Sequence, residues 1–286
     1  MSETFTELPW MWAGLIAYAL ATLLAFRSVW QLGAEKSAVT SIALPSRQNE
    51  RWILLFIISG VVLLTIALGV RWERLGHGPF VNLYELLMSQ LFSLGLIYAI
   101  VYWRVPSLRS SAVVVLPLIW ILGTWILFIE PADSRFPPTY HNNWLWAHVG
   151  FGKVFLCFCL VAAGLAGVIL LRAIPRFARS FSHMTDAALD QLAWRFMMLA
   201  LVFDSLMLIA GAVWAQDAWG RYWSWDALET SSFLTWLSIG AGIHVRLTYN
   251  IPVKLGALVI LAIFGLAFTT YFGAPYYSEA AHKGVI

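Results

Sequence analysis

The chain has 286 residues, of which 60% are hydrophobic and only 12% charged, with a mean hydropathy of +0.76 and a formal net charge of +3. Soluble domains sit nearer half apolar and about a quarter charged, so this composition excludes a soluble globular domain and places the chain in a membrane. The small positive charge is no nucleic-acid signal, because it follows from how Lys and Arg are distributed around the apolar runs.

A membrane-crossing helix needs roughly 20 mostly apolar residues. Eight stretches qualify: about 10–30, 52–71, 82–103, 111–129, 145–171, 192–213, 227–247 and 254–273. The expected fold class is therefore an all-α integral membrane protein, a single polytopic domain over residues 1–286 with about eight transmembrane helices. The first run follows acidic Glu3 and Glu7, not a basic stretch, and lacks a small-residue cleavage site, so it reads as a retained helix and not a signal peptide. Gly60 and Pro117 fall inside spans, where they are tolerated. The segment after the fourth span holds Pro131, Pro137 and Pro138 and reads as an ordered loop. Cys157 and Cys159 lie in the fifth span about 200° apart around the helix, so buried unpaired thiols are expected and no Cys-x-x-Cys redox motif competes. Ionisable groups inside spans are costly and are usually functional or paired. Glu85, Lys153 and Asp204 qualify, and an ion pair stabilising the bundle is the expectation for them.

Between the sixth and seventh runs lies Trp214-Ala215-Gln216-Asp217-Ala218-Trp219-Gly220-Arg221-Tyr222-Trp223-Ser224-Trp225-Asp226-Ala227-Leu228-Glu229-Thr230. Four tryptophans and a tyrosine in a connection that should be polar have two explanations. Trp and Tyr gather at membrane interfaces because their rings are amphipathic, and they also offer faces to a large flat ligand such as a porphyrin. The interleaving of Gly220, Arg221, Asp217 and Asp226 favours the ligand. Asp226 and Glu229, directly before an apolar run, read in addition as a helix N-cap with its capping-box partner.

Orientation follows from the cations. Alternate loops carry twelve Lys and Arg on one side (Arg27, Lys36, Arg47, Arg51, Arg104, Arg109, Arg172, Arg176, Arg179, Arg195, Arg246 and Lys254) and five on the other (Arg71, Arg74, Arg135, Arg221 and Lys283). The richer side is expected to be cytoplasmic, which puts both termini and the aromatic segment outside. His148, at the start of the fifth span, and His282, after the last, then share the outer side with that segment. Imidazole is a common axial ligand of haem iron, although a histidine at a helix end or interface needs no ligand to explain it.

The run Trp-Gly-x-x-Trp-x-Trp-Asp-x-x-Glu-Thr over residues 219–230 resembles the tryptophan-rich signature of the CcsA/ResC cytochrome c assembly proteins, with CcmC and CcmF as more distant relatives. Gly78-Pro79-Phe80-Val81-Asn82-Leu83-Tyr84-Glu85 is similar to the family's Pro-x-x-Asn-Leu-Tyr-Glu segment. The resemblance implies a haem-handling subunit of a holocytochrome c synthase, not the whole enzyme. Such a subunit moves haem b to the outer face and presents it to the Cys-x-x-Cys-His motif of apocytochrome c. It implies His148 and His282 as axial ligands, and His244, in its His-x-Arg context with Arg246, as a catcher of haem on its way outward. The implied haem-binding set is completed by Trp214, Trp219, Trp223, Trp225, Asp226 and Arg221, the last with a cationic side chain suited to propionates. Lys153 is a further propionate candidate, and His77 is a weaker one for haem. The implied partners are a ResB/CcsB-type membrane subunit, apocytochrome c and membrane lipid; the implied location is a bacterial inner membrane or a thylakoid-like equivalent. Ala227-Leu228 stands where the family usually has Pro-Lys, and Ala280-Ala281 departs from its tail. These departures leave open a haem-bearing structural or electron-transfer subunit without ligation activity, and a transporter whose aromatic segment is only a belt.

Overall fold

A computed structural model describes residues 5–34, 47–78, 80–178, 181, 184–273 and 276. Their regular structure is helical. In chain order the α-helices are α1 Leu8–Ala34, α2 Arg47–Leu75, α3 Leu83–Arg104, α4 Ala112–Ile126, α5 Asn143–Arg172, the one-turn α6 Pro175–Ala178, α7 Asp186–Trp219, α8 Ala227–Thr248 and α9 Val253–Phe268. The eight long helices coincide with the eight expected spans. Their starts are written in the sequence as caps: the side chains of Asn82, Asn142, Thr185 and Asp226 accept backbone N–H groups at the heads of α3, α5, α7 and α8.

Among the described residues seven helices are long and apolar enough to cross a membrane, and α8 falls short on apolarity although it has 22 residues. Its hydroxyls explain why it still belongs to the bundle. Ser231, Ser232, Thr235 and Ser238 each donate to a carbonyl one turn back in their own helix, so they present few unsatisfied donors. Leu234, Leu237 and Leu247 supply an exposed apolar face.

Helix α5 is the centre of the bundle and packs on α3, α4, α7 and α9. Cys157 and Cys159 are buried in it as free thiols, as expected. The ends of α1, α2 and α3 nearest the aromatic segment are joined by a charged network. The guanidinium of Arg71, completely buried, donates to Glu7 at 2.8 Å and to Glu85 at 2.9 Å, and also to the carbonyl of Ala132. Arg74 bridges Glu7 and Asp133. Glu85 is thus paired, as expected. Lys153 is not: among the described residues it forms no ion pair, and its Nζ donates to Ser89 Oγ at 3.0 Å and Gln90 Oε1 at 3.3 Å. The buried carboxyl of Asp204 likewise has no hydrogen-bond partner among them.

Candidate functional site

The segment expected as a tryptophan-rich loop over 214–230 is mostly helix. Helix α7 runs on through Trp219 and stops at Gly220, whose φ of 73° is a left-handed turn that glycine adopts without a Cβ clash. Helix α8 starts after Asp226, so only residues 220–226 connect the two. Hydropathy read the polar turn of α7 around Gln216 and Asp217 as loop. Asn142 Nδ2 in fact donates to Asp217 Oδ2 across the gap at 2.8 Å.

This divides the aromatic candidates into two groups. Trp214 is buried, and its Nε1 donates to the carbonyl of Thr139 at 3.0 Å. With Phe80 and Leu145 it forms a small core into which Phe136, Tyr140 and Trp219 pack. Burial there raises the Tyr140 phenol above its ordinary pKa, so its hydroxyl stays protonated at neutral pH. Trp214 and Trp219 are therefore walls of the fold first. Trp223 and Trp225 form the second group, edge to face at 5.7 Å, with Phe233 of α8 against both and Trp236 stacked behind it. Trp223 Nε1 is buried without a hydrogen-bond partner among the described residues. Trp225 is 66% exposed and has φ 60°, a conformation that costs a bulky L-residue about 1–3 kcal/mol.

The polar residues of the motif hold that strained ring in place. Asp226 Oδ1 accepts the Glu229 N–H at 2.8 Å, which is the expected cap. Glu229 Oε2 accepts both the backbone N–H and the hydroxyl of Ser224, at 2.7 and 3.1 Å. Thr230 Oγ1 donates to the carbonyl of Trp225. Asp226 is thus a positioning residue for Trp225. Arg221 is exposed in the same connection.

His148, one turn into α5, sits beside the first group. Its Nδ1 lies 2.9 Å from the carbonyl oxygen of Met207 on α7, and its ring lies nearly parallel to Trp214 with centroids 6.1 Å apart. A carbonyl only accepts, so Nδ1 carries a proton, and in the neutral ring the basic lone pair is then on Nε2. That is the tautomer a metal-binding imidazole adopts when a second-shell acceptor orients it. Gly211 permits the approach: a Cβ there would stand 2.6 Å from Nδ1. Met207, Gly211 and Phe233 had no signal in the sequence, since each is an ordinary residue of an apolar run; Ser224 and Thr230 lie within the signature, which gives them no separate role.

His244 lies exposed near the far end of α8, about 27 Å along the helix from Asp226, where neighbouring Arg246 pairs with Asp190 at 2.6 Å. The structure does not bring it to His148. His282 lies outside the described residues. Both ring nitrogens of His77 face carbonyls, of Gly78 and Ser134, each at 3.0 Å, so this ring holds the 130–140 segment in place. The donor set at the aromatic end fits a haem: an oriented imidazole base, a buried indole N–H lacking an acceptor, and a strained exposed ring.

Residues 80–282 match the family described as cytochrome C assembly protein. The chain belongs to that family. Among its CcsA members, the Prochlorococcus marinus (strain MIT 9312) cytochrome c biogenesis protein CcsA is 29% identical over 78% of this chain and 81% of its own length. The CcsA of a second Prochlorococcus marinus strain is 26% identical over 96% of this chain and 93% of its own length. The Chlamydomonas reinhardtii CcsA is 29% identical over 78% of this chain, and the match spans only 65% of that longer protein. The solved structure of cytochrome c heme lyase CcmF shares the fold, with a TM-score of 0.65 at 15% identity, over 95% of this chain and 48% of CcmF. The chain is thus an integral membrane protein of the cytochrome C assembly family.

Proposed function

We propose that the chain is the haem-handling subunit of a cytochrome c synthase. It holds haem b at the aromatic end of the bundle and presents it to apocytochrome c. The observation that carries this reading is His148, whose ring the Met207 carbonyl and Trp214 orient with Nε2 as the base. Trp219, packed on Trp214, and the names of the relatives, cytochrome c biogenesis proteins and a cytochrome c heme lyase, support the same reading. His282 is the second proposed ligand, and His244, at the opposite end, is the proposed entry-side ligand, completed by a ResB/CcsB-type subunit.

Bound haem supplies the iron and the vinyl groups, across whose double bonds the two thiols of apocytochrome c add to form thioethers. The chain's own residues position. His148 would hold the iron, Trp223 and Trp225 would offer faces to the macrocycle, and Asp226, Glu229 and Thr230 keep the Trp225 backbone where it stands. Holding reactants in line contributes up to about 7–11 kcal/mol in the best cases, and no further catalytic group of this chain is needed. Purified protein should carry haem with a bis-histidine spectrum. Replacing His148 with Gly should release it, and added imidazole should restore part of it. Wild-type haem content and spectrum in His148→Gly would overturn the ligand assignment.

A further inference from the structure

Two apolar grooves among the described residues differ in one respect. The first, of about 660 Å³, runs between α3, α4, α5 and α9 around Leu122, Trp125 and Phe268, and none of the residues lining it is charged. The second, of about 780 Å³, lies at the end of the bundle away from the aromatic segment, where α1, α4, α5 and α6 meet. Phe26, Val114, Pro117, Leu171 and Phe177 line it, and so does Arg27. That arginine stands about 6 Å inside Gln31, where the apolar stretch of α1 ends. From this depth an arginine stem lies along hydrocarbon while its head reaches the headgroup layer. Trp30, one turn on and 59% exposed, marks the same interface. Other arginines at this end have acids: Arg109 pairs with Glu50 at 2.6 Å and Arg172 with Asp186 at 3.1 Å. Arg27 is exposed and forms no ion pair among the described residues. The Lys and Arg distribution puts this end on the richer, cytoplasmic side, where basic pockets between membrane helices take anionic headgroups.

We propose that this groove is a binding site for an anionic phospholipid, with an acyl chain along the apolar wall and the phosphate on the Arg27 guanidinium. The two halves of the ligand answer the two halves of the site. Hydrocarbon covers Phe26, Val114 and Leu171, and the guanidinium offers N–H donors in a fork that fits phosphate oxygens. A partner's apolar helix would match the wall alone; an anionic phospholipid brings the chain and the anion together. Bound there, the lipid joins α1 to α4 and to the short α6. The inference does not depend on haem.

The test is lipid binding to the detergent-purified chain, read as bound adducts by native mass spectrometry. Dioleoylphosphatidylglycerol is titrated against dioleoylphosphatidylcholine, which has the same chains and no net charge. Wild type should bind the anionic lipid about 5-fold more tightly, the equivalent of the roughly 1 kcal/mol that one Lys or Arg contributes toward anionic lipid. Arg27→Gln should remove the preference and Arg27→Lys should keep it. Arg51→Gln, which alters an exposed cation on the same side but outside the groove, should leave it unchanged. Dihexanoylphosphatidylglycerol, with the same headgroup on short chains, should bind more weakly, and inorganic phosphate should not displace the long-chain lipid. Equal binding of the two dioleoyl lipids by wild type, a preference that survives Arg27→Gln, or an equal loss in Arg51→Gln would overturn the assignment. Displacement by inorganic phosphate, or equal binding of short and long chains, would overturn it too, since the groove would then hold no chain.

Discussion

Gly211→Ala is the most local perturbation of the proposed iron ligand. The new methyl group would stand 2.6 Å from Nδ1 and 2.9 Å from Cε1 of His148, distances at which something must move. The obstacle is a rigid ring bonded to the Met207 carbonyl of the same helix, so the imidazole turns or α5 and α7 separate. Overpacking of this kind costs about 1–3 kcal/mol, and loss of the hydrogen bond adds about 0.5–1.5 kcal/mol. Replacing glycine by alanine inside a helix returns about 1 kcal/mol. The fold should survive, while the orientation of Nε2 does not, and losing an orienting partner typically lowers metal affinity 10–100-fold. Gly240→Ala is the control, because a Cβ there meets nothing within 4 Å. Haem content per protein after purification, with the absorbance spectrum, is the assay. Wild-type haem in Gly211→Ala, or an equal loss in Gly240→Ala, would refute the claim that this glycine serves His148.

Trp225→Gly should raise stability by about 1 kcal/mol, by relieving the positive φ, yet reduce haem retention; a loss of both stability and haem would mean that the ring is structural. Trp10→Phe serves as a belt control, since Trp10 is exposed on α1, and should leave both properties unchanged. Arg71→Met should destabilise by about 3–5 kcal/mol, measured by thermal unfolding in detergent, because Glu85 would be left buried without a cation and Glu7 with Arg74 alone. A phosphatase fused after Ile286 should be active as an exported enzyme and one in the 172–191 segment inactive, as the Lys and Arg distribution requires; the reverse pattern would invert the orientation.

The spans were legible because lipid demands long apolar runs, and the cap at Asp226 because an acidic residue directly before such a run has few reasons other than a helix start; the caps at Asn82 and Asn142 went unread. The end of α7 was not legible: Gln216 and Asp217 look like water-facing loop until Asn142, 75 residues away, supplies a partner. Arg71 counted in the sequence only as a topological charge. Its burial depends on Glu7, 64 residues away, and on Glu85, 14 away, and no local pattern announces such pairs. Lys153 was expected in an ion pair because an intramembrane charge usually has one, and the structure gives it an amide and a hydroxyl instead. The candidate histidines were legible as a group, but sorting them took geometry: His148 is oriented by a carbonyl, while His77 is engaged by two.

The most direct test of the central claim is complementation of cells that lack their own CcsA-type subunit but retain its membrane partner and an apocytochrome c substrate. Covalent haem attachment is read by peroxidase staining of denatured protein and by the pyridine haemochrome of thioether-bound haem. The chain should restore covalently attached haem, and His148→Gly should abolish the restoration while the protein still inserts. Stable, haem-loaded protein in the membrane with no covalent cytochrome c would contradict the account and leave a haem-binding subunit without a part in ligation.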